Sequence, residues 1–328
     1  MYGPNADRAR KVAIVYSPTT MASVRNAPLT CTSEFRLMIL IIETGCKRFP
    51  HGRHAYTPAA MEAGPRTLED PLAEALRIVA VADREGILLR LMGGMAVRAH
   101  APDWTHRTRR VEVDLDFATR SKDRKAVFAL LEREGYTPDK RHNALFGQHQ
   151  GYFVDEARRR PVDVLVDKLE MCHRIEFADR LSASRPTLPV ADLLLSKLQI
   201  VKINRKDVLD ALVLLAEHPL AQDDGAPDSS SGQGAISLPR IFAHTSNDWG
   251  WWRTLTGNLK VLQEFLDSDF TVGDLDVGAR PVLFDVRAQL AGLRDAIEAA
   301  PKSTRWKLRS KVGERQQWYV EPEEVGHN

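Results

Sequence analysis

The chain is poor in cysteine and has no long apolar run. Its three cysteines, Cys31, Cys46 and Cys172, are widely separated and odd in number, so they indicate neither a disulfide framework nor a zinc site. The apolar run at residues 37–42 is far shorter than the roughly 20 residues that cross a bilayer. The arrangement typical of a signal peptide is not recognised. We therefore expect a cytoplasmic protein without a membrane partner.

Positive and negative side chains are also nearly equal in number. The 46 Lys and Arg residues stand against 44 Asp and Glu residues, which leaves a formal net charge of +2. So small a charge does not by itself indicate binding to nucleic acid or to a membrane surface, and a basic surface would have to be local. At 328 residues the chain is long enough for two domains, or for one domain with an extension.

The patterning of the chain predicts three regions. Residues 1–65 mix Pro, Thr, Arg and His without a sustained period, which indicates a peripheral extension. Residues 66–190 alternate helical and strand periods, and this predicts an α+β domain with helices on one face of a small mixed sheet. Residues 191–328 predict a helical domain that contains a flexible loop at 221–237.

The elements predicted for the second and third regions follow from hydrophobic periodicity. The predicted strands are 87–92, 111–118, 151–154 and 162–167, and the predicted helices are 72–84, 95–100, 123–134, 193–215, 249–267 and 281–300. The pattern at 193–215 fits either one long helix or two consecutive helices.

Acidic side chains recur on two of these strands. In strand 111–118, alternation places Asp114 and Asp116 together on the face opposite the apolar residues. Asp163 in strand 162–167 supplies a third acid, and Asp167 is the other choice. Carboxylates held this close repel each other unless they are solvated or share a cation. Two interpretations stay open: the solvated face of an amphipathic strand, or a site for Mg²⁺ or Mn²⁺.

A glycine pair, Gly93 and Gly94, joins the apolar strand at 87–92 to the next helix. Glycine lets the backbone approach a phosphate group closely, and a helix N-terminus supplies free N–H groups. A tight turn between strand and helix needs glycine as well, so the pair alone does not establish a phosphate site.

In order, these motifs resemble the polymerase-β-like nucleotidyltransferase superfamily: GGMA, then DLDF 21 positions later, then the strand with Asp163. The segment PVADLLLSKLQIVKINRKDVLDALVLL, at 189–215, is similar to the AbiEii-type nucleotidyltransferases, which occur as toxins and phage-defence proteins. The resemblance covers roughly residues 72–218. It implies a nucleotidyltransferase-like fold and an Mg²⁺-dependent transfer of NMP from an NTP to RNA such as tRNA, to a protein or to a small molecule. For a toxin, it also implies a cognate antitoxin as partner.

The resemblance implies a role for each matching residue. Gly93 and Gly94 would cradle the triphosphate, and Lys197 would neutralise its charge. The implied metal ligands are Asp114, Asp116 and Asp163, the implied catalytic residues are these three with Lys197, and the implied nucleotide-binding residues include Asp207 and Asp210 of the final acidic motif. Asp163 would help to activate the acceptor hydroxyl.

Two positions add to this assignment or depart from it. Arg110 enters the strand that carries the acids, where its guanidinium group could reach a triphosphate or an RNA acceptor. Met95 follows the glycine pair, where many members of the superfamily have Ser or Thr. Backbone N–H groups could still bind phosphate, but the methionine leaves open a relative that binds nucleotide without turnover.

Lys197 and the two aspartates after it also have a purely structural interpretation. Lys197 would then be a solvated lysine on an amphipathic helix, and Arg205, Asp207 and Asp210 would form surface ion pairs. A hydrolase that uses the acids on a metal-bound water would explain neither the glycine pair nor Lys197.

The segment KSTRWKLRSKVGERQQWY near the C-terminus interleaves basic and aromatic residues. The basic ones are Lys302, Arg305, Lys307, Arg309, Lys311 and Arg315, and the aromatic ones are Trp306, Trp318 and Tyr319. This pattern fits a solvated basic face whose tryptophans pack inward, and the alternative is an RNA-binding surface.

Overall fold

The computed structural model describes residues 66–102, 114–223, 234–268 and 282–321. All of them belong to one compact unit, Met61–Asn328. The extension predicted at 1–65 and the side chain of Arg110 lie outside the described residues. None of the helices in the described ranges is long and apolar enough to cross a membrane.

Helices and short strands alternate in the first half of the described chain, and helices dominate after residue 190. The strands are β1 (Leu89–Met92), β2 (Leu115–Thr119), β3 (Thr137–Pro138), β4 (Gln150–Asp155), β5 (Arg160–Val166), β6 (Lys168–Glu170), β7 (Arg174–Glu176), β8 (Leu220–Ala221) and β9 (Ile236–Ser237). The helices are α1 (Pro71–Arg84), α2 (Gly93–His100), α3 (Arg124–Glu134), α4 (Lys140–Phe146), α5 (Val190–Leu198), α6 (Arg205–Glu217), α7 (Leu238–Thr245), α8 (Trp249–Asp267), α9 (Val286–Ala299) and α10 (Thr304–Val312).

Local sequence signals explain where several helices begin. Asp70 accepts a hydrogen bond from the N–H of Ala73 at the start of α1, and Pro71 follows it as the first helical residue. Asn204 caps α6 and Asp248 caps α8 in the same way. A side-chain acceptor at this position satisfies an N–H group that has no partner within the helix, which is typically worth about 1 kcal/mol.

Five strands form one mixed sheet in the order β1-β2-β5-β4-β3. β2 and β5 are parallel, whereas the β1–β2, β5–β4 and β4–β3 pairs are antiparallel. The mixed sheet and its accompanying helices agree with the predicted α+β class. One hydrophobic core contains residues from the sheet and from the later helices α5, α6, α8 and α9. The domain boundary predicted at residue 190 stays a prediction.

The two faces of the sheet differ in burial. Along β5 the side chains of Val162, Val164 and Val166 are buried, whereas those of Asp163 and Leu165 between them are only half-buried. The buried face packs against helices, for example through the Phe128 and Phe153 rings, whose centroids are 5.2 Å apart. The half-buried face is therefore the one on which polar side chains can meet a ligand.

Several predicted elements have different bounds in the structure. The pattern at 193–215 is two helices, α5 and α6, of which α5 starts earlier than predicted. The acid-bearing strand is described only from Leu115, so Asp114 lies immediately before it. The predicted loop at 221–237 is shorter, because Leu220 and Ala221 pair with Ile236 and Ser237 as parallel strands; residues 224–233 lie outside the described ranges.

Candidate functional site

Asp116 and Asp163 lie side by side near the centre of the sheet. Asp116 of β2 is the register partner of Asp163 of β5. Adjacent strands are about 4.8 Å apart, and register partners project from the same face. Both side chains are half-buried. The closest pair of acids is therefore formed across two strands, and not along one strand by Asp114 and Asp116.

The two carboxylates are held together at an electrostatic cost. Burial and, after it, the negative charge of Asp163 raise the pKa of Asp116 to about 7. The charge of Asp114 acts in the same direction, whereas the charges of Lys197 and Lys206 act in the opposite direction. A cation between the two acids would relieve this repulsion.

Two residues of β4 flank Asp163 on the same face. The side-chain amide of Gln150 donates a hydrogen bond to Asp163 Oδ1 at 2.5 Å. Tyr152 is the register partner of Asp163 on its other side. Asp116, Asp163 and Tyr152 thus form one row across three strands. Sequence reasoning missed Gln150 and Tyr152, because alternation assigns residues to a face but does not fix the register between strands.

The other two candidate acids have different positions. Asp114 is exposed just before β2, close enough for its charge to act on Asp116. Asp167 follows β5 with a positive φ of 65°, and its carboxylate accepts hydrogen bonds from the backbone N–H of Ser121, at 2.8 Å, and from the Ser121 hydroxyl. Asp167 therefore fixes the turn after β2, and Asp163 is the acid that faces Asp116.

The acids fit a divalent cation as a pair. Among the described residues no group of three or more His, Cys, Asp or Glu side chains is found that could hold a metal ion, and the set of Asp114, Asp116 and Asp163 as metal ligands stays a prediction. Mg²⁺ commonly binds through one or two carboxylates, with substrate phosphates and water completing its shell. Asp116 and Asp163 are the residues that fit this requirement, and the metal site stays a prediction.

Gly93 is in direct contact with Asp116. A Cβ added at Gly93 would lie 1.9 Å from Asp116 Oδ2, and the backbone φ of Gly93 is +64°. Both facts require glycine at this position. Gly93 is also the first residue of α2, so the acids lie beside a helix N-terminus, where the helix dipole favours negative groups. Gly94 is buried in the same turn.

Met95, the next residue, belongs to the hydrophobic core. Its side chain is 1% exposed. The methionine is therefore explained by packing, and any contact with a phosphate at this position would have to come from its backbone N–H group.

Lys197 is a buried lysine held by two carboxylates. Its ammonium group lies 2.9 Å from Asp207 Oδ1 and 3.0 Å from Asp210 Oδ2. Burial alone would lower the pKa of Lys197, but the charges of Asp210 and Asp207 raise it above its usual value. The interpretations of Lys197 as a solvated lysine and of the aspartates as surface ion pairs are therefore wrong. Arg205 instead lies over the ring of Phe265, at 5.2 Å from its centroid.

Two polar residues next to this cluster were also missed. Asn204 accepts a hydrogen bond from the N–H of Asp207 at 3.0 Å and donates one to Asp207 Oδ2 at 2.7 Å. Lys206 is exposed, and its charge acts on Asp116. The signal for Lys206 is its position beside the first aspartate of the RKDVLD motif, which lies in the first turn of α6.

A cavity of about 960 Å³ lies elsewhere in the helical region. Trp251 contacts the imidazole rings of both His173 and His244, with centroid distances of 4.8 Å in each case. The described residues that line the cavity include these three side chains, Arg305 and Trp318, but not the acids of the sheet. The cavity is therefore distinct from the row of Asp116 and Asp163.

The tryptophans of the C-terminal segment pack inward. Trp306 lies edge-on to Trp252, with centroids 5.2 Å apart, and Trp318 lies edge-on to Trp249 at 6.0 Å. Arg309 donates hydrogen bonds to backbone carbonyl groups at 313 and 316, each at 2.7 Å. These contacts agree with the packing interpretation of the segment, and binding of RNA there stays a prediction.

Comparison with models of known protein families finds no match, and comparison with curated protein sequences finds none either.

Proposed function

We propose that the protein is a metal-dependent nucleotidyltransferase with a nucleotidyltransferase-like fold. The observation that carries the proposal is the contact of three residues from three elements. Asp116 is in register with Asp163, and Gly93 at the start of α2 packs against the Asp116 carboxylate. This arrangement supports the proposal, because paired acids suit a hard cation and a helix N-terminus suits a phosphate.

The chemistry that follows is the transfer of a nucleotidyl group. The acceptor oxygen attacks the α-phosphorus atom, the bond to the bridging oxygen breaks, and pyrophosphate leaves. A divalent cation on Asp116 and Asp163 would supply charge neutralisation for the triphosphate. Asp163, which accepts a hydrogen bond from Gln150, would accept the proton of the acceptor hydroxyl.

Other residues would bind and orient the nucleotide. The backbone N–H groups at the start of α2 would hold the phosphates, and the exposed Lys206 would add positive charge. The pair of Asp207 and Asp210 keeps Lys197 charged in its buried position, from which its field acts on Asp116. Lys197 would then act on the site through electrostatics and packing. In such a reaction most of the rate enhancement comes from positioning and charge stabilisation.

A second candidate function is nucleotide binding without turnover. It is favoured by two observations: Met95 offers no hydroxyl to a phosphate because it is a core residue, and the ammonium group of Lys197 is already paired with two carboxylates. Calorimetry separates the two functions, because a binding module would bind an NTP with Mg²⁺ and release no pyrophosphate with RNA, protein or small-molecule acceptors.

The test is an assay of label transfer. The protein is incubated with each NTP labelled at the α-phosphate, with Mg²⁺ and with total cellular RNA, and labelled acceptors are then separated. We expect transfer by the native protein and loss of it in the Asp114→Ala/Asp116→Ala double variant. Asp295→Asn is the matched control, since its side chain is 72% exposed on α9. Transfer by the double variant at the native rate would contradict the mechanism.

RNA, a protein and a small hydroxylated molecule are the acceptor classes in this proposal, with RNA such as tRNA first. A cognate antitoxin belongs to the same proposal. Its observable consequence would be loss of label transfer when the partner is bound.

A further inference from the structure

A series of aromatic side chains extends from the two acids. Tyr152 is next to Asp163 in register across β4 and β5. The ring of His142 lies 6.0 Å from that of Tyr152, and the ring of Phe146 lies 5.2 Å from that of His142, centroid to centroid. We call Tyr152, His142 and Phe146 the aromatic shelf. It begins where the row of acids ends.

Hydrogen bonds fix the shelf to the sheet. Asn143 donates from its side-chain amide to the carbonyl oxygen of Tyr152 at 3.0 Å, and it accepts from the N–H of Tyr152 at 2.7 Å. Asp139 caps α4 by accepting from the N–H of His142 at 2.8 Å, and its own N–H donates to the Tyr152 carbonyl at 3.0 Å. The side chain of Asn143 thus replaces a strand neighbour and holds α4 against β4.

The outer end of the shelf is exposed. Phe146 is 53% exposed and its neighbour Leu145 is 67% exposed, and no residue of α4 is buried. The helix therefore adds little to the hydrophobic core. Large apolar side chains that are exposed beside a polar site are typical of ligand contact.

We propose that the aromatic shelf binds the nucleobase of the NTP whose phosphates lie at Asp116 and Asp163. The inference rests on the proposed function and extends it to the base. Aromatic side chains stack on any base, because every base presents a π-face, so stacking of this kind selects weakly among bases. The shelf therefore predicts that several nucleoside triphosphates bind with similar affinity.

The test compares a triphosphate ligand that carries a nucleoside with one that carries none. An ATP analogue with a non-hydrolysable α,β-methylene bridge and inorganic tripolyphosphate are each titrated into the full-length protein with Mg²⁺ by calorimetry. Phe146→Ala is expected to weaken binding of the analogue by about 5- to 150-fold, the range that loss of one stacked base contact gives, and to leave tripolyphosphate binding unchanged. Phe146→Tyr keeps the ring and is expected to bind as the native protein does.

The control is Leu308→Ala on α10, where the side chain is 60% exposed, and it is expected to change neither affinity. If binding of both ligands depends on Asp116 but Phe146→Ala does not affect it, the proposal for the aromatic shelf is wrong and the proposed function stands. If the native protein binds neither ligand, the proposal for the shelf and the proposed function are both wrong. A thermal unfolding curve for Phe146→Ala that matches the native one shows that the variant is folded.

Discussion

Gly93 and Asp116 touch so closely that a Cβ on the glycine would lie 1.9 Å from Oδ2 of the aspartate. The sequence predicts at this turn a backbone that a phosphate approaches closely. In the structure the approaching group is the carboxylate itself, which is thereby pressed against the start of α2 and faces Asp163. The glycine consequently determines where the acid lies.

Gly93→Ala is expected to displace the Asp116 carboxylate and to abolish metal-dependent nucleotide binding. It should also lower the free energy of unfolding by about 1–2 kcal/mol for the left-handed backbone and by about a further 1–3 kcal/mol for the clash. Gly86→Ala is the matched control, because Gly86 has a φ of +69° and nothing within 4 Å of an added Cβ. Denaturant unfolding measures the change in stability, and calorimetry with an NTP measures the change in nucleotide binding. Equal losses of stability in the two variants would show that backbone strain alone is responsible.

Asp116→Asn is expected to stabilise the metal-free protein. The substitution removes one of two repelling carboxylates from a site where burial and Asp163 raise the pKa of Asp116 to about 7. At pH 8 we expect the free energy of unfolding to rise by about 1 kcal/mol, while nucleotidyl transfer falls by about 100- to 1000-fold. Urea unfolding without divalent cations measures the first effect. A variant less stable than the native protein would argue that the acids stabilise the sheet.

Lys197→Met is expected to destabilise the fold, because it leaves Asp207 and Asp210 buried without their cation. Loss of one partner from a buried ion pair costs about 3–5 kcal/mol. Lys260→Met is the control: this lysine is 79% exposed, and within the described part of the chain it pairs with Glu264 on the same helix, so a loss of about 0.5 kcal/mol or less is expected. Chemical denaturation compares the two. An unchanged stability with lost NTP binding would instead assign Lys197 directly to the phosphates.

Stability is expected to fall between pH 6.5 and pH 4 because of buried histidines. Burial lowers the pKa of His173 to about 4, against a smaller opposing effect of Asp248. In the unfolded chain the imidazole takes up its proton near pH 6.5. Between these values the unfolded state binds more protons, so the free energy of unfolding decreases as pH falls, by up to about 1.4 kcal/mol per pH unit from this group.

His100 and His244 have lowered pKa values as well, from burial first, and they contribute with the same sign. His173→Gln is expected to reduce the dependence of the free energy of unfolding on pH, since glutamine does not titrate. Urea unfolding at pH 7, 6 and 5 measures this dependence. The same slope in the variant and in the native protein would place the pH dependence elsewhere.

The sequence was sufficient for the elements that carry strong periodicity. Helix 249–267 agrees with the structure at both ends, because Asp248 caps it and its apolar residues repeat at helical spacing. Helix α4 was missed, because it is short and buries no residue, so it leaves no apolar pattern. Strand β3 has only two residues, which is too few for alternation to appear.

The sequence predicts where the candidate site lies better than it predicts which residues form it. Alternation predicts that Asp116 and Asp163 each lie on the polar face of a strand, but only the register of β2 and β5 shows that they are partners. For the same reason the sequence does not predict that Tyr152 lies beside Asp163. The pairing of Lys197 with Asp207 and Asp210 depends on how α5 packs against α6. That packing is a tertiary relationship, which spacing along one helix does not contain.

The proposed reaction depends on binding of a divalent cation at Asp116 and Asp163, and a titration measures this binding. Mn²⁺ is titrated into the protein with a non-hydrolysable NTP, and the free ion is followed by electron paramagnetic resonance. We expect nucleotide-dependent Mn²⁺ binding by the native protein and by Asp295→Asn, and at least about tenfold weaker binding by Asp116→Asn and by Asp163→Asn. Equal Mn²⁺ binding by all four proteins would contradict the proposed reaction.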